Sequence, residues 1–416
     1  MITPARRLWW QNHNINVFDK LRLDSLGSNQ VAPQVRFLVR FGAWCLDLGP
    51  FGIPGLPPAV TLCSTMFITG LGTATPERRY TQRECWDVFA HSELASRLSA
   101  RSRAIVKKVL NGNNGIVTRH LALDNLGQAF ELTPDALHAR YRRHAPLLAT
   151  QAAQRALADA GRQAAEMDAL IVSTCTGYLC PGLTSYVSER LALRPDALML
   201  DLVGQGCGAA LPNLRTAEAL LAAGRCRLVL SVCVEVCSAA LYFDDDPGVL
   251  ISACLFGDGA GAAVLSSAPA GRRRLEWRAC GSLLRPNDRD FLCFEQRDGR
   301  LRNILTPQVP PLAAQHARKV LDDALARSGV ERFHVKGWVL HPGGRDVLLA
   351  LRERLGLTAH DLRWSEAVLR EFGNLSSPSV FFVLQAAFAD SAPSGYWWMS
   401  SFGAGFSCHG ALLEVE

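Results

Sequence analysis

An α/β fold of two similar halves follows from three observations. From Met66 onward, short apolar runs of strand length alternate with longer helical patterns. Each half closes on a glycine-rich turn that feeds a last strand. In the first half this is Leu255-Phe-Gly-Asp-Gly-Ala-Gly-Ala-Ala-Val-Leu265; in the second it is Ser401-Phe-Gly-Ala-Gly-Phe406 followed by Cys408–Val415. The halves share a pattern rather than identical residues, as a duplicated unit does. Three regions are expected: residues 1–65 as an N-terminal extension without an assigned fold, 66–270 as a half carrying a candidate nucleophilic cysteine, and 271–416 as a half carrying a candidate histidine and asparagine.

The first strand is expected at Phe67-Ile-Thr-Gly. Basic helical material follows over Arg101–Leu110 and stops at the turn Asn111-Gly-Asn-Asn-Gly115. Thr133-Pro-Asp-Ala has the chemistry of a helix start, and a long helix is expected over Pro146–Ala160. Strands are predicted at Ala169–Ser173, Leu198–Val203 (read as buried) and Arg227–Val236. In the second half a helix over Pro311–Ser328 leads to a strand at Gly337–Leu340, ended by His341-Pro-Gly-Gly344. A helix over Asp346–Leu355, the turn Gly373-Asn-Leu-Ser-Ser-Pro378, a helix through Phe381–Ala389 and a strand at Tyr396–Ser400 complete the series.

The composition excludes several classes. With 49% hydrophobic and 20% charged residues, the 416-residue chain is not a disordered one. A net charge of +6 is mild over this length and does not argue for nucleic-acid binding, although a local basic patch for an anionic ligand fits it. Thirteen cysteines form no CxxC pair and lack histidines at zinc-finger spacing. They read as reduced core thiols in a reducing compartment such as the cytoplasm, with no metal site. No apolar run reaches the length of a transmembrane helix. Arg6-Arg7 is not followed by an export-signal core and cleavage site, so export is not expected.

The chemistry gathers first around Cys207. The run Leu198–Val203, the turn Gly204-Gln-Gly206 and a helical pattern from Ala210 to Leu221 place Cys207 where a strand ends and a helix begins. Free N–H groups and the positive end of the helix dipole converge there and can lower a thiol pKa. The pattern alone fits a nucleophile and a small core cysteine equally well. Gly-rich Leu255–Leu265 leads into a strand rather than a helix, so a dinucleotide site fails its own context.

Two further residues sit where chemistry would be. His341 ends a strand before Pro-Gly-Gly, and Asn374 lies in a turn that starts a helix. Singly, each has an ordinary structural role open to it, as a satisfied histidine or a helix cap. Together with Cys207 they form a thiol nucleophile, an imidazole and an amide donor for an oxyanion. Papain-like proteases use the same three residue types, but their signature around the cysteine is absent, since Gly208-Ala-Ala follows Cys207.

Gly-Gln-Gly-Cys207-Gly-Ala, Leu-Phe256-Gly-Asp-Gly-Ala, His341-Pro-Gly-Gly and Gly-Asn374-Leu-Ser-Ser-Pro resemble, in this order over Met66–Glu416, the signatures of type III polyketide synthases, the chalcone synthase-like branch of the thiolase superfamily. The resemblance implies the thiolase fold of duplicated αβαβα layers, a homodimer, and decarboxylative condensation of malonyl-CoA onto an acyl-CoA starter. No bound cofactor is implied; the CoA thioesters are substrates. Cys207 would carry the acyl group, and His341 and Asn374 would bind the thioester carbonyl. Phe256 would be an aromatic gatekeeper, with Gly343 and Gly344 against the substrate. A methionine that crosses the dimer interface in plant members is replaced at the matching place by Cys180, which implies a smaller cavity wall. A second gatekeeper phenylalanine has no match near Leu301–Pro307. Arg103, Lys107 and Lys108 stand in for the family's CoA-phosphate contacts by region only; a solvated helix face explains them as well. The lost bulk implies a roomier or differently shaped pocket than in chalcone synthase, and hence a fatty acyl starter leading to an alkylpyrone, alkylresorcinol or related phenolic; a malonyl-only naphthalene-type synthase, a chalcone-type synthase and a single-condensation β-ketoacyl-ACP synthase III are the alternatives.

Overall fold

Nearly every predicted strand is apolar along its whole length, and a strand of that kind needs cover on both faces. The computed structural model supplies it. The structure describes residues 66–270 and 274–416, with two short strands, Leu38–Phe41 and Trp44–Asp47, paired antiparallel within the expected extension. The rest of residues 1–65, Arg6-Arg7 among them, lies outside the described residues.

Nine strands form one sheet: β1 (Met66–Ala74), β2 (Ala169–Thr174), β3 (Leu198–Val203), β4 (Leu228–Glu235), β5 (Gly259–Ser266), β6 (Leu275–Leu284), β7 (Val335–Leu340), β8 (Gly395–Gly403) and β9 (Ser407–Val415). Their order is β7-β8-β9-β6-β1-β5-β4-β2-β3. The two predicted halves therefore contribute contiguous blocks. They meet where β6 pairs with β1 through Glu276–Phe67 and Trp277–Met66.

Seven helices position the site: α1 (Ala100–Asn111), α2 (Pro134–Ala160), α3 (Ala210–Ala222), α4 (Pro247–Leu255), α5 (Val309–Ser328), α6 (Arg345–Leu355) and α7 (Ser379–Ala389). Helices α3 and α7 lie in the middle, with Leu211, Leu214, Phe381 and Leu384 packed against Ile171 and Val229 of one half and Trp397 and Met399 of the other. Helix α2 covers the outer face of the first half, its Ala149, Ala152 and Ala156 against Leu170, Val172 and Leu230. Helices α5 and α6 cover the second half, against Trp338, Leu340 and Trp398. The period of two in a strand explains the sorting: Trp397 faces the central helices and Trp398 the outer layer. The result is the expected α–β–α–β–α stack.

Several elements differ from expectation. β3 is a strand but not a buried one. It is the sheet's edge, with Leu198 41% and Val203 57% exposed. Leu200 and Leu202 pack against the central core and Met199 against the outer one, while Leu198 and Val203 have no cover among the described residues. Helix α2 runs unbroken through Pro146. That proline removes only the bond to the carbonyl of Arg142, an exposed residue, and alanine packing on the sheet carries the helix across. The helix Ala359–Phe372 and the hairpin of Leu292–Arg297 with Arg300–Leu305 were not anticipated. The hairpin turns on Asp298-Gly299, both at positive φ, the Asp-Gly signal of a two-residue turn.

The close fit of α2 on β1 has a measurable consequence. A Cβ on Gly72 would lie 2.2 Å from the carbonyl oxygen of Ala152. Gly72→Ala is expected to lower stability by about 1–3 kcal/mol, read as a shifted urea midpoint. An unshifted midpoint would show that the helix can ride away from the strand.

Candidate active site

The elbow that carries Cys207 is built from backbone. Gly204 and Gly206 take φ of 82° and 55°, a region open to glycine, and turn the chain sharply after β3. Cys207 sits in the single turn Gly206–Gly208, and α3 starts after Ala209 without a side-chain cap. Its first N–H groups thus have no side-chain acceptor. The closing turn of the other half packs directly on this elbow: a Cβ on Gly403 would lie 2.5 Å from Gly208 N. Ser401 Oγ donates to the Gly208 carbonyl at 3.1 Å.

His341 directly follows β7 and is buried. Its ring stands edge-on to Phe402, with centroids 5.1 Å apart, and neither ring nitrogen has a hydrogen-bond partner among the described residues. Gly343 leaves the imidazole room, since a Cβ there would lie 2.7 Å from Phe402 Cζ and 3.5 Å from His341 Nε2. Asn374 is buried as well, but it does not cap α7. Its Oδ1 accepts from Ser376 N at 2.8 Å and its Nδ2 donates to the Gly343 carbonyl at 3.1 Å. Pro378 takes the N-cap position, with no side-chain cap bond. The amide is thereby held in place with a second N–H to spare.

Cys207, His341, Asn374, Phe256, Gly343 and Gly344 all line one open cavity of about 630 Å³. Phe256 follows the last residue of α4 and also borders a tighter inner chamber of about 40 Å³, shared with Cys207. That chamber is lined where the loss of bulk was expected to leave space. Leu241, Tyr242, Leu292 and Phe294 fill it, and the last two arrive on the unanticipated hairpin. Cys180 is exposed and lines none of the cavities of its own chain described here.

The basic residues are also rearranged. Lys108 lines the open cavity, but Arg103 and Lys107 do not. Arg103 donates to the carbonyls of Ala95 and Leu98, and Lys107 lies over the Trp86 ring. The helical period turns them away from the face that Lys108 presents. Exposed Arg101 and Arg345 join Lys108 at the rim. Arg345 was missed because it lies far along the chain, at the start of α6, where it donates to the Asn113 carbonyl.

Two buried titratable side chains were missed too. Glu235 ends β4 and accepts from Ser377 Oγ at 2.6 Å, Thr176 Oγ1 at 2.9 Å and Cys175 N at 3.0 Å. A carboxyl closing an otherwise apolar strand was the available signal. Arg119 donates to Gln82 Oε1 and to the carbonyls of Ala253 and Phe256, which holds the end of α4 and so Phe256.

Burial drives the electrostatics of the floor. It pushes the Cys207 thiol up to about 12, against a hydrogen bond with the Ser376 side chain that pulls it down. It pulls His341 down to about 3. Each group taken alone is therefore neutral near pH 7, and the helix terminus does not by itself make the thiolate expected from the sequence. Opposite charges compensate each other's desolvation, so a thiolate and an imidazolium on this floor would be favoured only as a pair. Burial likewise raises Glu235.

The Glu235 network yields a test of its own. Glu235→Leu strands the Ser377, Thr176 and Cys175 donors in a dry interior. A loss of about 1–3 kcal/mol per unsatisfied donor is expected, seen as a lower thermal midpoint. Glu235→Gln, which keeps one acceptor, should lose less. Equal losses in the two variants would refute the hydrogen-bond account.

The chain matches the FAE1/type III polyketide synthase-like family over residues 74–305 and the C-terminal domain of chalcone and stilbene synthases over residues 284–412. It is 30% identical to a 3,5-dihydroxyphenylacetyl-CoA synthase of Amycolatopsis orientalis over 353 residues, covering 83% of this chain and 92% of the relative. It is 29% identical to an alpha-pyrone synthesis polyketide synthase-like protein of Mycobacterium tuberculosis over 380 residues, covering 88% and 94%. Among solved structures, a polyketide synthase of the brown alga Ectocarpus siliculosus superimposes with a TM-score of 0.76 at 26% identity, covering 84% of this chain and 98% of the other. Motif order, five-layer stack and matched residues agree: the chain belongs to the type III polyketide synthases, acyltransferase-type enzymes of the thiolase fold.

Proposed function

We propose that this enzyme loads an acyl-CoA starter on Cys207 and extends it with malonyl-CoA by decarboxylative Claisen condensation, and that the product cyclises to an alkylpyrone, alkylresorcinol or related phenolic. The observation that carries the reading is the convergence of Cys207, His341 and Asn374 from three separate loops on one cavity floor. The thiol passes its proton to His341 as it attacks the starter thioester; a C–S bond forms and CoA thiolate leaves. Malonyl-CoA then binds with its thioester oxygen between His341 and Asn374. Loss of CO₂ leaves an enolate, and the two donors stabilise its oxygen. The enolate carbon attacks the Cys207 thioester and returns the thiolate.

The rim of Arg101, Lys108 and Arg345 supports binding of the CoA phosphates. The exposed edge β3, with nearby Tyr178 71% exposed, supports a homodimer that covers apolar surface left open in one chain. The eleven described cysteines are free, in keeping with a reducing compartment such as the cytoplasm. The tightness of the inner chamber favours a second reading, a malonyl-only synthase of the naphthalene type. Incubation with malonyl-CoA and acyl-CoA starters of graded length, with products read by mass spectrometry, separates the two. Turnover rising with starter length supports the fatty acyl reading, and best turnover with malonyl-CoA alone the other.

The catalytic roles are open to direct tests. Cys207→Ala should abolish the acyl-enzyme and all polyketide; full product formation would end the proposal. His341→Ala and Asn374→Ala should each slow malonyl-CoA decarboxylation by roughly 10²–10³-fold. His341→Ala should also change the thiol itself. Without the imidazole, burial alone acts on Cys207, so iodoacetamide labelling at pH 7 should fall at least about tenfold and recover only at strongly alkaline pH. An unaltered labelling profile would show that His341 does not take the proton.

A further inference from the structure

The inner chamber holds a polar pair that the condensation chemistry does not use. Asn303 arrives on the second strand of the Asp298-Gly299 hairpin, and Ser252 on α4. Both are buried, and Asn303 Nδ2 donates to Ser252 Oγ at 2.8 Å. Both line the chamber beside Cys207, among Leu241, Val249, Leu292 and Phe294. Polar groups are costly in such surroundings unless their hydrogen-bonding capacity is met.

That capacity is only half met. Asn303 Oδ1 accepts from no described residue, yet it is not among the sealed polar atoms, so it opens on the chamber. Ser252 Oγ accepts a hydrogen bond from Asn303 Nδ2 and keeps its own O–H to donate. Turning the amide by 180° exchanges the roles but leaves the same outcome, one acceptor and one donor facing the chamber. The pair has no charge to offer a phosphate or carboxylate. It suits a neutral oxygen that serves as carbonyl or enol, and a β-diketone presents both.

Building on the reading above, we propose that Asn303 and Ser252 hold a ketone or enol oxygen of the growing β-keto chain and so determine how many condensations precede release. A short chain on Cys207 leaves when its own enol oxygen attacks the thioester carbonyl. A C–O bond forms, the C–S bond breaks, and the enol proton passes to the Cys207 sulfur. An enol oxygen held by Asn303 is kept from that attack, and the chain stays for another malonyl unit.

The test compares wild type, Ser252→Ala, Ser252→Thr and Asn303→Leu with malonyl-CoA and one acyl-CoA starter. The readout is the ratio of triketide lactone to longer products, which a general loss of rate does not enter. Loss of one hydrogen bond at the chamber should raise this ratio about three- to tenfold in Ser252→Ala and Asn303→Leu, and Ser252→Thr, which keeps the hydroxyl, should restore it. If Asn303→Leu fails to fold, the two Ser252 variants decide alone. An unchanged ratio overturns the proposal. So does faster turnover of long acyl starters by Asn303→Leu at an unchanged ratio, because the chamber would then seat the starter's tail. A wild type that releases no CO₂ from malonyl-CoA would overturn the functional reading itself, and it shows before any variant is made.

Discussion

The site rests on the approach of two backbones. Gly208, just past Cys207, and Gly403, at the end of β8, lie so close that a Cβ on Gly208 would meet Gly403 N at 3.2 Å. One belongs to the first half of the chain and the other to the second. Their contact locks the end of one half of the sheet to the end of the other. Phe402, beside Gly403, then stands against His341, and the Gly343 carbonyl that follows His341 holds the Asn374 amide. A side chain at either glycine would push apart the groups that meet on the cavity floor.

A buried carboxyl secures the opposite wall. Glu235 gathers donors from the loop after β2 and from the turn before α7, two segments that a Cys175–Ser376 side-chain hydrogen bond also joins. Ser376 lies in that turn at a φ of 60°, a strained conformation for a residue other than glycine, with a typical cost of about 1–3 kcal/mol. Asn374 Oδ1 and Glu235 hold it there. The strain has a use: it directs the Ser376 hydroxyl to both the Cys207 and the Cys175 thiols.

Charge is graded from rim to floor. Exposed arginines and a lysine surround the entrance, while burial holds the thiol and the imidazole toward their neutral forms below. In the proposed reaction the CoA phosphates would stay at the rim, and the malonyl carboxylate, carried to a floor of low polarity, would be poorly solvated there and so inclined to leave as CO₂. An enolate oxygen formed there would meet its donors in the same surroundings, where each hydrogen bond counts for more than it would in water.

Much of this was legible in the residues. Alternating apolar runs and helical patterns specify an α/β stack because strands covered on both faces must be apolar throughout. Cys207, His341 and Asn374 each lie at an element's end beside glycine or proline, where local chemistry alone requires a turn. The Asp298-Gly299 hairpin could have been read as well, and with it the chamber walls it delivers. Side-chain direction and cover could not. Nothing within Leu198–Val203 tells an apolar edge strand from a central one, because its neighbours in the sheet come from elsewhere in the chain. Arg103, Lys107 and Lys108 share one helix, and only the packing of α1 turns Lys108 alone toward the cavity. Arg345 and Asn303 enter the site from far along the chain, and the state of the Cys207 thiol depends on how completely such distant segments exclude water. Sequence determined which local pieces form; tertiary packing decided which of their faces are buried, and with that the size and charge of the site.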